Sequence, residues 1–135
     1  NQTKDYPREF DKVTASGYVN DAWSSDNYIT GYTRRGFVSA YSQKEAREDF
    51  AEMVSEYVTK TPAQWNALLQ SALVVDATTG KVTDRTGYDA LLKKLDICKR
   101  YYRETFNIDL DKVRDEVVNR ETNVVNGHVD LKSLK

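Results

Sequence analysis

The sequence predicts a mainly α-helical domain with a loop-rich start and one small β-hairpin. Three patterns carry that expectation. From about residue 45 onward, apolar residues recur three and four apart in successive stretches, the period of a helix buried along one face. Residues 1–40 show no such period: short apolar pieces alternate with Gly17, Gly31, Gly36 and runs such as Trp23-Ser24-Ser25-Asp26-Asn27. Between the helical stretches, residues 73–83 hold two short apolar, β-branched pieces around Thr78-Thr79-Gly80.

Taken in order, a short helix is expected near residues 8–13 within the first stretch. From about Glu45, Phe50, Met53, Val54, Tyr57 and Val58 form an apolar stripe that needs a core. Thr61-Pro62 then supplies a capping residue followed by proline at the first helical position, and Trp65, Leu68, Leu69 and Ala72 give a second helix its buried face. After the hairpin, a long helix is expected from about Thr86 to Phe106, with Leu91, Leu95, Cys98 and Tyr102 on one side. A last helix should run from about Asp109 to Glu121, with Leu110, Val113, Val117 and Val118 inward, and the tail from Asn126 reads as a turn and a frayed end.

With 135 residues, the chain suits one domain, residues 1–135, divided into a loop-rich segment 1–44 and a helical part 45–135. Twenty basic and 21 acidic residues leave a formal charge of -1, so no global field favours nucleic acid or an anionic membrane, and no nucleic-acid partner is expected. The single cysteine excludes an internal disulfide and a cysteine-based zinc site. No apolar run approaches the roughly 18 residues of a spanning helix. The chain begins Asn1-Gln2-Thr3 without Met, which reads as a processed or truncated product.

Several local motifs have ordinary explanations. Thr79-Gly80-Lys81 lacks the distal glycine and the following Ser or Thr of a phosphate loop, with Val75 and Val82 in those places. Asp109 and Asp111 lack calcium-loop spacing and read as acids at a helix start. Cys98, on an apolar face, reads as a small buried hydrophobe. His128 has no second histidine to make a metal pair and reads as a turn residue. Tyr18, Trp23, Tyr28, Tyr32 and Phe37 could stack on a sugar or peptide, or pack onto their own domain. Arg34-Arg35 reads as a solvated pair.

The helix starting near Glu45 carries the informative charges. Glu45, Glu48, Asp49, Glu52 and Glu56 follow one side, and three i,i+4 pairs repel by about 0.2 to 0.5 kcal/mol each in an isolated helix. Either water tolerates this face or a positive group sits on it; charge runs are more often solvated. Glu48 and Glu52 lie one turn apart, so one could ligate a cation while the other holds a neighbouring ligand. Tyr41, seven residues before Glu48, is close enough for a loop to aim its phenol at the same point.

The block Gly36-Phe37-Val38-Ser39-Ala40-Tyr41, followed by Glu48-Asp49-Phe50-Ala51-Glu52 and Met53-Val54-Ser55-Glu56-Tyr57, resembles the substrate-import-associated zinc metallohydrolase lipoproteins. More remotely it resembles the lethal-factor type of gluzincin, which shares a Tyr-x6-Glu-x3-Glu arrangement. The resemblance implies the helical C-terminal half of a zincin-like metallopeptidase domain. By it, Glu48 is the third protein ligand of zinc, Glu52 the acid orienting a ligating histidine, and Tyr41 a phenol donating to the oxyanion. An HExxH helix, which these residues do not contain, supplies the other two ligands and the general base in that family. The chain is therefore expected to start just after that motif, to bind zinc poorly alone and to be inactive. The resemblance also implies a peptide or related substrate, a secreted or outer-membrane-anchored parent held by an N-terminal lipid, and association with a nutrient importer.

A non-catalytic helical module that binds a glycan or protein through its aromatic loops is the alternative, which the sequence upstream of Asn1 would separate from the enzyme. A glycosidase using Glu48 and Glu52 as its acid/base pair is disfavoured, because carboxylates one turn apart on one helix cannot straddle a substrate.

Overall fold

A computed structural model describes residues 7–18 and 30–126, the last six of these by backbone alone. It is mainly α-helical with one small antiparallel hairpin, as the periodicity predicts. The helices are α1 (Ala46–Thr59), α2 (Pro62–Ser71), α3 (Thr86–Phe106) and α4 (Leu110–Asn126), with β1 (Val74–Val75) and β2 (Val82–Asp84) between α2 and α3. The described part of the loop-rich start is built from short 3₁₀ turns at Arg8–Lys12, Ala15–Gly17, Tyr32–Arg35 and Tyr41–Gln43.

Three helix boundaries have a clear local cause. Thr61 Oγ1 accepts from the Gln64 N–H while the Gln64 side chain accepts from the Thr61 N–H, a capping box that starts α2 with Pro62 in its first turn. α3 ends at Asn107, whose left-handed backbone (φ 56°) returns N–H groups to the last carbonyls. Asp109 Oδ1 accepts from the Asp111 N–H at 2.9 Å and opens α4, so the acids there serve a helix start. In the hairpin, Asp76 Oδ1 takes the N–H groups of Thr78 and Thr79, and Gly80 adopts φ 73°.

The core lies where α1, α2 and α3 meet the first 3₁₀ turn. Phe10, Phe50, Met53, Tyr57, Trp65, Leu69, Leu91, Leu95, Ile97, Cys98 and Leu110 are buried in it, and Val54, Val58 and Leu68 pack half-buried at its edge. Ring contacts run outward from Phe10 through Phe50 to Tyr101 and Tyr102, and then to the exposed Phe106. Cys98 is buried as expected, and burial, followed by the Asp49 charge, pushes its thiol far above the ordinary range.

α3 begins directly on the loop segment. A Cβ at Gly87 would fall 2.3 Å from the Thr33 carbonyl oxygen and 2.4 Å from that of Arg34, so only glycine allows this approach. Ser71 at the end of α2 donates to the Leu68 carbonyl at 2.6 Å, and its oxygen accepts from the Thr33 hydroxyl at 3.0 Å. The Tyr32–Arg35 turn is thereby pinned between two helices.

Candidate functional site

Tyr41, Glu48 and Glu52 meet where the loop segment runs into α1. Two interlocked turns build the approach. Ser42, fully buried, donates its hydroxyl to the Ser39 carbonyl at 2.7 Å and its N–H to Ser39 Oγ at 3.1 Å. Gln43, also fully buried, donates to the Ala40 carbonyl at 3.2 Å and accepts from Arg35 Nε and Nη2 at 3.1 and 2.9 Å. Arg35 also donates to the Thr30 carbonyl at 3.1 Å. Arg34 and Arg35 are both exposed, as expected of a solvated pair, and Arg35 in addition braces the loop through these bonds.

From that base the Tyr41 phenol lies beside the Glu48 carboxylate. Partial desolvation, then the Glu48 carboxylate and the charges of Glu45 and Glu52, hold the phenol pKa above its ordinary value. Ser39 Oγ donates to Glu52 Oε1 at 2.8 Å. Glu48 and Glu52 are each half-buried and one turn apart, Glu52 bonded to Ser39 and Glu48 beside Tyr41. The structure thus brings together the three residues singled out in the sequence and adds Ser39, which that reading missed.

Asp49 departs from expectation. Its place in the acidic run suggested a face turned from the core, yet its side chain is 0% exposed, as is that of Lys94, and the two pair at 2.6 Å. Lys94 also donates to the Gly36 carbonyl at 2.7 Å, and Tyr18 donates to Asp49 Oδ2 at 2.6 Å. The ammonium lies 4.0 Å from the Phe37 ring centroid, with Phe10 and Tyr18 at 5.7 and 5.8 Å. Burial pushes the Asp49 carboxyl up and the Lys94 ammonium down, and each charge opposes the other's shift. Burial, then Asp49, drives the Tyr18 phenol well above its ordinary range. The carbonyl of Gly36 is free to face Lys94 because the residue sits at φ 90°, where a Cβ would meet Ala90 Cβ at 2.8 Å.

Two of the five rings considered as a ligand platform, Tyr18 and Phe37, therefore surround this buried ammonium. Tyr32 is half-buried, and Trp23, Tyr28 and His128 lie outside the described residues. A signal for Lys94 was present: it stands in the apolar register of α3, three after Leu91 and four before Cys98. A charge in that register needs a buried partner.

The chain belongs to the family described as "Putative zinc-binding metallo-peptidase", which matches residues 1–111. It is similar to the crystal structure of a protein of the same description from Bacteroides caccae ATCC 43185. That likeness has a TM-score of 0.72 and 29% identity, and it covers 93% of this chain and 43% of that one. The chain thus spans less than half the length of that relative. No curated protein matches it.

Proposed function

We infer that this chain is part of a zinc-dependent metallohydrolase acting on a peptide or related amide bond. In this reading Glu48 is a metal ligand, Glu52 the acid that orients a neighbouring ligand, and Tyr41 the phenol that faces the reacting carbonyl. The observation that supports it most is the convergence of Tyr41 with Glu48 beside the Ser39-anchored Glu52 in a chain of this family.

The residues fit zinc as part of a set. A carboxylate oxygen suits the ion, but one ligand and a neighbouring acid do not make a tetrahedron. Among the described residues no group of three or more His, Cys, Asp and Glu side chains could hold a metal. The reading therefore takes the remaining ligands from an HExxH helix on polypeptide outside these residues. When bound, zinc with three protein ligands lowers the pKa of a water to about 7 and polarises a scissile carbonyl.

The chain's own residues supply the rest. Ser39 holds Glu52 in place, so its free oxygen has a fixed direction. A phenol is protonated at neutral pH, so Tyr41 can serve as a donor for negative charge developing on a carbonyl oxygen. This chain alone is expected to bind zinc weakly and to be inactive. A secreted or outer-membrane-anchored parent, tied by lipid and working beside a nutrient importer, is supported by the family resemblance alone. No helix among the described residues is long and apolar enough to cross a membrane.

Metal analysis of a parent carrying the HExxH segment tests the assignment. Glu48→Ala there should abolish stoichiometric zinc, and full zinc content would remove Glu48 from the ligand set. Tyr41→Phe should retain zinc while turnover falls about 10²- to 10³-fold, the range for loss of one oxyanion donor; unchanged turnover would end its assigned role.

A further inference from the structure

Directly behind the candidate site lies a buried cation that the chemistry above does not use. Lys94 reaches from α3 to two places at once: Asp49 Oδ2 at 2.6 Å and the Gly36 carbonyl at 2.7 Å. Asp49 is the residue after Glu48 on α1. Gly36 opens the strip Phe37-Val38-Ser39-Ala40-Tyr41 that brings both hydroxyls to the carboxylates. One ammonium therefore fastens the helix that carries Glu48 to the loop that carries Tyr41.

Stability alone is a poor reason for such a group. Buried ion pairs replaced by apolar side chains of similar volume often lose nothing, since desolvation of the two charges offsets their attraction. An apolar pair could fill the same space, but it could not bond directionally to one chosen carbonyl. The Lys94 ammonium does so, and the Phe37 ring at 4.0 Å closes over it from the loop side.

We propose that Lys94 is a positioning residue, setting the register between the loop bearing Ser39 and Tyr41 and the helix bearing Glu48 and Glu52. The purpose of that register rests on the zinc-hydrolase reading. The register itself belongs to this chain without metal and is tested without it.

Native-state amide exchange and NMR on the metal-free chain provide the test. In the unaltered protein, the Phe37, Ser42, Gln43 and Lys44 amides should open only together with the central amides of α1 and α3, and a nuclear Overhauser contact should join the Tyr41 ring to the Glu48 side chain. In Asp49→Leu/Lys94→Met the loop amides should exchange at least about tenfold faster while the helix centres keep their protection. The Tyr41–Glu48 contact should vanish although the melting midpoint stays within about 5 °C. Loop amides that open independently in the unaltered protein would overturn the proposal, as would persistence of the contact in the folded double variant. If the double variant does not fold, exchange in the unaltered chain decides. A locked loop in a parent whose Glu48→Ala variant keeps zinc would leave Lys94's role standing and remove the metal reading; a slack loop with zinc lost would do the reverse.

Discussion

The two ends of α1 each hold a tyrosine against a carboxylate, in contrasting surroundings. At the C-terminal end, Tyr57 donates to Asp111 of α4. Lys99 pairs with that carboxylate at 3.1 Å, and Lys99 and Arg114 lie over the Tyr57 ring at 4.9 and 4.5 Å. The Tyr57 hydrogen bond, then Lys99, hold Asp111 below the usual carboxylate range. At the N-terminal end, Lys44 stands over the Tyr41 ring at 5.8 Å, but the charges acting on its phenol are Glu48, Glu45 and Glu52, all pushing its pKa up. The first pair is neutralised by cations within the fold, as expected of a group that joins helices. The second lies among three glutamates at the edge of the fold, where carboxylate charge dominates what the phenol feels.

The contrast can be broken most severely between the two ends. Lys94→Met, which strands the fully buried Asp49, should lower stability by about 3 to 5 kcal/mol in a urea melt. A smaller loss would mean that Asp49 is readily hydrated. Next in size is Tyr57→Phe, which removes a hydrogen bond to a charged group and should cost about 1.5 to 3 kcal/mol.

Acid should act on the closed end as well. The folded pKa of Asp111 lies below the ordinary 3.8, so the unfolded chain binds its proton first. The stabilisation is therefore present above the unfolded value and lost as pH falls through the folded one. Asp111→Asn should flatten the acid side of the stability curve, and an unchanged slope would separate Asp111 from acid unfolding. The smallest effect is expected from Tyr41→Phe, about 0.5 kcal/mol or less in stability. A loss matching that of Tyr57→Phe would make the two ends structurally alike and erase the distinction.

Much of the helical frame was legible because it is local. The α3 register reads from Leu91, Leu95 and Cys98, the start of α2 from Thr61-Pro62, and the hairpin from the turn residues between its valines. Tyr41, Glu48 and Glu52 were also found by spacing within one short stretch, and their contact needs only a turn and a helix. Asp49 was misplaced because a count along the chain shows like charges three and four apart but not what packs across from them. Its partner lies 45 residues later in sequence, on another helix. Two facts together hinted at the pairing: Asp49 stands four before the buried Met53, and Lys94 occupies a core position of α3. Ser39 and Arg35 were missed for a different reason, since irregular loops carry no period from which a side chain's direction can be read.

Cys98 gives the fold a built-in clock. The lone thiol is enclosed in the core, with ionisation suppressed by its surroundings. Thiol reagents should pass the native molecule by and react only when α3 swings free. The pace of alkylation would then report whole-molecule opening without any added label, for this chain and for each variant compared with it.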